Sequence, residues 1–242
     1  MSWLQMPWGK MHYTEAGRAG VPLVLLHGTG CDSRDWDAVA RELPREMRTI
    51  RVDFRGHGKS EVPGAAFALE DLARDVMALA DHLSIPHLTL AGHSLGGMVA
   101  MSVAMQSPRV AGLVLLEGWT QLRACEAFTG NRFYGRLDPA SIASVRRKNE
   151  RTRKRFDPEI WDRFWASVET FDALAFLRSA GMPVLEVYGD MGRTGATRRR
   201  LLIPDNPSIR LVWISHAGHY LPHERPREVA ELALKVTGWR QA

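Results

Sequence analysis

The pentapeptide Gly92-His93-Ser94-Leu95-Gly96 stands between a short apolar run, His87–Gly92, and a stretch with helical spacing, Leu95–Gln106. A serine at such a strand-to-helix junction sits in a strained backbone conformation. Glycines two residues before and two after it are needed because side chains there would strike neighbouring backbone. The same turn aims Ser94 Oγ into a crevice, where the helix N-terminus supplies partial positive charge and free N–H groups to a developing oxyanion. The isolated pattern is common by chance; the strand before it and the helix after it make it specific.

The rest of the chain alternates in the same way. Apolar runs at Val21–His27, Thr49–Asp53, His87–Gly92, Ala111–Glu117, Pro183–Gly189 and Ile209–Ser215 read as strands buried on both faces. Leu69–Leu83, Leu95–Gln106 and Arg225–Thr237 carry apolar residues at helical spacing. Strands alternating with helices predict an α/β fold with a mostly parallel sheet covered by helices. A more polar region, Trp119–Gly181, interrupts the alternation, and its aromatic spacings predict amphipathic helices inserted as a cap over the carboxyl edge of the sheet. The expected division is a core of residues 1–118 and 182–242 with a helical cap of 119–181.

Composition narrows the classes. With 242 residues, 45% hydrophobic and 24% charged, the chain is long enough to build one core without disulfide or metal staples. Cys31 and Cys125 match no zinc or redox spacing, which predicts a reducing, cytoplasmic compartment. Met1–Lys10 lacks the pattern of a signal peptide. The stretch His82–Pro108 is free of Asp, Glu, Lys and Arg but is broken by Pro86, Gly92 and His93, short of the roughly 20 apolar residues of a membrane span. Net charge is +5, and much of the excess lies in Arg146, Arg147, Lys148, Arg151, Arg153, Lys154 and Arg155. Two readings of that run are open: a solvated helix face, or a patch that attracts an anionic substrate or polymer. No nucleic-acid-binding module accompanies it.

Three further motifs follow strands. His27-Gly28-Thr29-Gly30 is a tight turn able to bring the Thr29 N–H beside that of Leu95, a two-donor oxyanion hole. In Asp53-Phe54-Arg55-Gly56-His57-Gly58-Lys59-Ser60 the glycines suit a tight loop, and His57 reads as structural. His216-Ala217-Gly218-His219-Tyr220-Leu221-Pro222 lies between the last strand and the last helix.

These motifs, in this order from Lys10 to Trp239, resemble the α/β-hydrolase fold family. The resemblance implies an eight-stranded, mostly parallel sheet, a helical cap inserted after the sixth strand, and a relay of serine, acid and histidine. It assigns Ser94 as nucleophile and His219 as general base, with His216 second choice. For the acid the chain departs from the usual pattern: Gly189-Asp190-Met191-Gly192 carries glycine where the family usually has aspartate. In relatives such as the haloalkane dehalogenases the acid follows the sixth strand instead, which here is Leu115-Leu116-Glu117-Gly118-Trp119. Glu117 is therefore the expected acid and Asp190 the alternative.

Dehalogenases use an aspartate nucleophile, so serine at position 94 implies acyl chemistry rather than dehalogenation or epoxide opening. The expected activity is hydrolysis of an ester, thioester or lactone of a small molecule, with no cofactor and no metal. The same residues would also serve C–C bond or amide hydrolysis, and a slow triad would leave a ligand-binding or signalling module. No nucleic-acid or membrane partner is expected.

Overall fold

A computed structural model describes residues 2–127, 133–191 and 198–239. Eight strands, β1 (Ser2–Met6), β2 (Gly9–Ala16), β3 (Ala19–Leu26), β4 (Met47–Val52), β5 (Leu88–His93), β6 (Val110–Leu116), β7 (Val184–Gly189) and β8 (Ile209–Ile214), form one sheet. Their order is β1-β2-β4-β3-β5-β6-β7-β8. Only β1–β2 and β2–β4 pair antiparallel; every pairing from β4 to β8 is parallel. Each of the six strands expected from the sequence is present, with ends shifted by no more than about two residues, the ordinary scatter of such boundaries.

The apolar runs read as continuous because both faces of the sheet are covered. Val24 and Leu26 of β3, with Ile50, Leu90 and Leu113, enter one core cluster; Leu23 and Leu25, with Ala91, Val114 and Val187, enter another. The first face is covered by α2 (Leu69–His82) and α3 (Leu95–Gln106), the second by α1 (Asp37–Glu42), α7 (Leu221–Glu224) and α8 (Pro226–Thr237). In α3 every residue from Leu95 to Ala104 is buried. Such a helix, apolar on all sides, is stable only inside the molecule, here between the sheet and α2. Between β6 and β7 the described chain forms α4 (Pro139–Arg153), α5 (Pro158–Glu169) and α6 (Leu174–Ser179). Pro at the first turn and an aspartate cap, Asp138 and Asp157, start the first two of these helices.

The β1–β2 hairpin has no counterpart among the strands read from the residues. Its two-residue turn, Pro7-Trp8, carries neither Asn-Gly nor a leading glycine, and Trp3 on its outer edge is exposed, so the local signal is weak. Among the described residues no helix is long and apolar enough to cross a membrane.

At the carboxyl ends of β3, β5 and β6 the main chains approach each other directly. A Cβ on Gly96 would lie less than 3.0 Å from the carbonyl oxygens of Leu26 and His27, and one on Gly97 equally close to the Gly118 Cα. The obstacles are main-chain atoms of buried strand ends, which cannot turn aside. Gly96→Val is therefore expected to lower unfolding free energy by at least about 3 kcal/mol or to prevent folding; a urea melt of the soluble variant, or its failure to accumulate, checks this.

Candidate active site

Ser94 links β5 to α3 with φ 54° and ψ −121°, outside the helical and extended regions. Main-chain bonds hold it there: its N–H donates to Leu116 O at 2.9 Å, and its carbonyl accepts from Gly97 N–H at 2.8 Å. A Cβ at Gly92 would strike the carbonyl of Gly96. The glycine spacing read from the sequence therefore reflects contact across the turn itself. Leu95 is the first residue of α3, so its N–H is one of the donors for which the helix has no acceptor of its own.

Histidines brace the loops around this turn. The Phe54 N–H donates to His27 Nε2 at 3.1 Å, which leaves Nδ1 to carry the proton and donate to Gly28 O at 2.7 Å. Burial holds the His27 pKa below its ordinary value, in keeping with a neutral ring whose tautomer is set by its partners. This fixes the turn that carries Thr29. His93, inside the pentapeptide, is also kept neutral by burial, and its Nε2 lies 2.9 Å from His219 O. It ties the serine turn to the loop bearing His219, a role the sequence offered no signal for. His57 packs among His27, Phe54 and Phe156, its Nδ1 lies 3.1 Å from Arg55 O, and burial pulls its pKa to about 3.

His219 is buried among aromatic rings. Trp119 stacks on it at 5.3 Å and 18°, and Phe133 at 4.4 Å and 19°; the His219 N–H also donates to Phe133 O at 2.8 Å. Nδ1 lies 3.9 Å from Glu117 Oε2. Glu117 follows β6 with φ 55°, its N–H donates to Val187 O at 2.9 Å, and its Oε1 accepts the Gly189 N–H at 2.8 Å. One carboxylate oxygen is thus anchored to β7 while the other faces the imidazole. Asp190 is exposed, and its Oδ1 accepts the His216 N–H at 2.6 Å. His216 is exposed as well. Gly192, at the position where the family usually has aspartate, lies outside the described residues.

Ser94, His219, His93 and Thr29 line one cavity of about 390 Å3, with Trp119, Phe133, Tyr134, Trp165 and Tyr220 as aromatic walls. Four of these aromatics, Trp119, Phe133, Tyr134 and Trp165, come from the region the sequence separates as a cap. Arg146 and Asn149 of α4 complete the polar lining. Elsewhere in the basic run, Lys148 pairs with Asp35 at 2.8 Å, Lys154 with Glu150, and Arg155 donates to the carbonyls of Gly58 and Ser60. The run is not one solvated face. Among the described residues no group of three or more His, Cys, Asp or Glu side chains is placed to hold a metal ion.

The Alpha/beta hydrolase family matches residues 23–232 of this chain. The pimeloyl-[acyl-carrier protein] methyl ester esterase of Klebsiella pneumoniae (strain 342) is 33% identical over 159 residues, 65% of this chain and 53% of that protein. Across the curated relatives it matches, the chain spans 27% to 53% of their length. The structure of Est816, an N-acyl homoserine lactone degrading enzyme, has a TM-score of 0.76 at 26% identity and covers 96% of this chain and 98% of that one. That of the epoxide hydrolase CorEH has a TM-score of 0.75 at 25% identity over 98% of each chain. The chain belongs to the alpha/beta hydrolase family, and these relatives are hydrolases.

Glu186 was not singled out by sequence reasoning, although an acidic residue inside the run Pro183–Gly189 is the signal for it. It is fully buried on β7; Tyr188 Oη donates to its Oε2 at 3.1 Å, and Oε1 has no partner among the described residues. Burial, with a smaller contribution from the nearby Glu117 charge, raises its pKa from 4.5 to about 7. Glu186 binds its proton more tightly folded than unfolded. The stability this contributes is complete below pH 4.5 and is lost as pH rises through about 7. The full shift corresponds to about 3 kcal/mol. Glu186→Gln, which keeps the neutral shape, should lie close to the parent in stability at pH 4.5 and exceed it increasingly from there to pH 8. Thermal or urea melts of both proteins across that range check it.

Proposed function

We propose that this chain is a serine hydrolase that cleaves an ester, thioester or lactone of a small molecule through an acyl-enzyme. The observation that carries the reading is the strained Ser94 at the N-terminus of α3, opening on the same cavity as His219 and Thr29. His219 takes the Ser94 proton as Oγ bonds to the substrate carbonyl carbon, and the carbonyl π electrons move to oxygen. The N–H groups of Leu95 and Thr29 stabilise that oxyanion. Collapse breaks the bond to the leaving group, which receives the proton from His219. Water, deprotonated by His219, then attacks the acyl-enzyme; Ser94 Oγ leaves and regains the proton, and the acid product departs. Glu117 is the acid of the relay: its Oε2 is directed at His219 Nδ1, and a 3.9 Å separation can shorten when imidazolium forms, since such contacts tighten in the transition state. Asp190 serves the His216 turn. The helices within residues 119–181 act as a cap over a core of residues 1–118 and 182–242.

Epoxide hydrolases are among the relatives, but serine at the turn supports acyl transfer. A serine ester with an acyl group is readily hydrolysed, whereas opening an epoxide on serine would leave an ether.

Intact-mass analysis after treatment with a fluorophosphonate is expected to give a single adduct on the parent protein and none on Ser94→Ala. Failure of the folded parent to label would overturn the reading and leave a ligand-binding module. On p-nitrophenyl esters, Glu117→Gln should lower kcat by about 10³- to 10⁴-fold, as removal of a triad acid does, and Asp190→Asn by less than about tenfold. The opposite ranking would transfer the role to Asp190.

A further inference from the structure

The cavity that holds Ser94 and His219 is walled largely by aromatic rings, and no Asp or Glu lines it among the described residues. Among the described residues its one permanently charged group is the guanidinium of Arg146, since the histidines there are ionised only when protonated. Tyr134 positions this guanidinium in two ways: Arg146 Nε lies 3.4 Å from Tyr134 Oη, and Cζ lies 5.2 Å from the centre of the Tyr134 ring. Among the described residues no carboxylate pairs with it. This sets Arg146 apart from Lys148, Lys154 and Arg155, which are satisfied by Asp35, Glu150 and the Gly58 and Ser60 carbonyls. A guanidinium held by its Nε and its stacked face keeps the terminal Nη groups for a ligand, and their forked geometry matches a carboxylate.

We propose that Arg146 is a specificity-determining residue that binds a carboxylate on the substrate, remote from the scissile carbonyl, so that the preferred substrates are half-esters of dicarboxylic acids or lactones that carry a free carboxylate. The inference rests on the serine-hydrolase reading and narrows its substrate class. The aromatic walls pack the chain between the two ends, and Arg146 supplies the fixed charge, the only one among the described lining residues, that distinguishes a charged from a neutral terminus. The exposed cations on the same helix, Arg147 and Arg151, add a field that draws anions toward the cavity mouth.

The test compares mono-p-nitrophenyl esters of succinic, glutaric and adipic acids with the same compounds methylated on the free carboxyl, following nitrophenol release. For at least one chain length the parent protein is expected to prefer the anionic ester by about tenfold or more in kcat/KM, the size of one charge-assisted contact. Most of that preference should lie in KM, because a contact remote from the carbonyl is equal in ground and transition states. Arg146→Gln should bring the ratio of anionic to neutral kcat/KM near one, Arg146→Lys should retain part of it, and Arg146→Glu should invert it. Arg146 is exposed on α4, so these substitutions leave the core intact. A ratio near one in the parent at every length, or a ratio unchanged by Arg146→Gln, would overturn the proposal.

Calorimetric titration of glutarate and adipate into Ser94→Ala protein, with and without Arg146→Gln, separates this inference from the catalytic reading. Binding abolished by Arg146→Gln, together with a folded parent protein that takes no fluorophosphonate adduct, would retain the anion site and reject the hydrolase. Labelling and neutral-ester cleavage without an Arg146-dependent preference or binding would do the reverse.

Discussion

At the carboxyl edge of the sheet a methyl group on Gly92, Gly96, Gly97 or Gly189 would lie less than 3.0 Å from a main-chain atom of another segment. The close approach at Gly96 seats α3 against the end of β3, and that at Gly189 seats the Ala217–Gly218 turn against the end of β7. Hydrogen bonds from Ser94 to Leu116, from Glu117 to Val187 and from Asp190 to Ile214 then join the ends of successive strands into one rim. The candidate site is a property of that rim. Ser94, Glu117 and His219 lie far apart in sequence, and only backbone packed against backbone holds them on a common edge.

Such packing carries a conformational cost, much of it in the same region. Ser94, Glu117, Trp119 and His216 all have φ between 36° and 55°, a range unfavourable for residues with a Cβ. Each is held by neighbours that cannot relax independently. The buried histidines contribute in a complementary way: His27 and His93 are neutral, and each lies within hydrogen-bond distance of a main-chain carbonyl of a loop beside Ser94. The result is a set of loops fixed in advance of any ligand, which is what preorganised electrostatic stabilisation requires.

The region between β6 and β7 supplies what the rim lacks. Its chain stacks Trp119 and Phe133 on His219 and brings Arg146 to the same cavity. It is fastened to the core by polar contacts, among them Lys148 with Asp35, which also pairs with His223 four residues after His219. Burial works to raise the Asp35 pKa, but its bonds to His223 and Lys148 hold it below the usual carboxylate range. Asp35 thus stays charged between Lys148 and His223 and links α4 to the loop that carries His219.

Much of this was legible in the residues. Apolar runs announced the six strands β3 to β8, because a parallel sheet covered by helices leaves little polar alternation. The glycine spacing around Ser94 and the Gly218-His219 pair marked two corners of the site, since steric demands on the backbone leave a compositional trace. The β1–β2 hairpin left little trace, as an edge with a Pro-Trp turn has few residues under such demand. The acid was ambiguous for a different reason: Glu117 and Asp190 both follow strands, and which of them faces the imidazole depends on where β6, β7 and the His219 loop meet. Glu186, the stacking of Trp119 and Phe133, and the place of Arg146 at the cavity were likewise decided by tertiary structure. A side chain's type is written in the sequence, but its neighbours, its burial and the direction in which its charge points exist only once distant segments have packed.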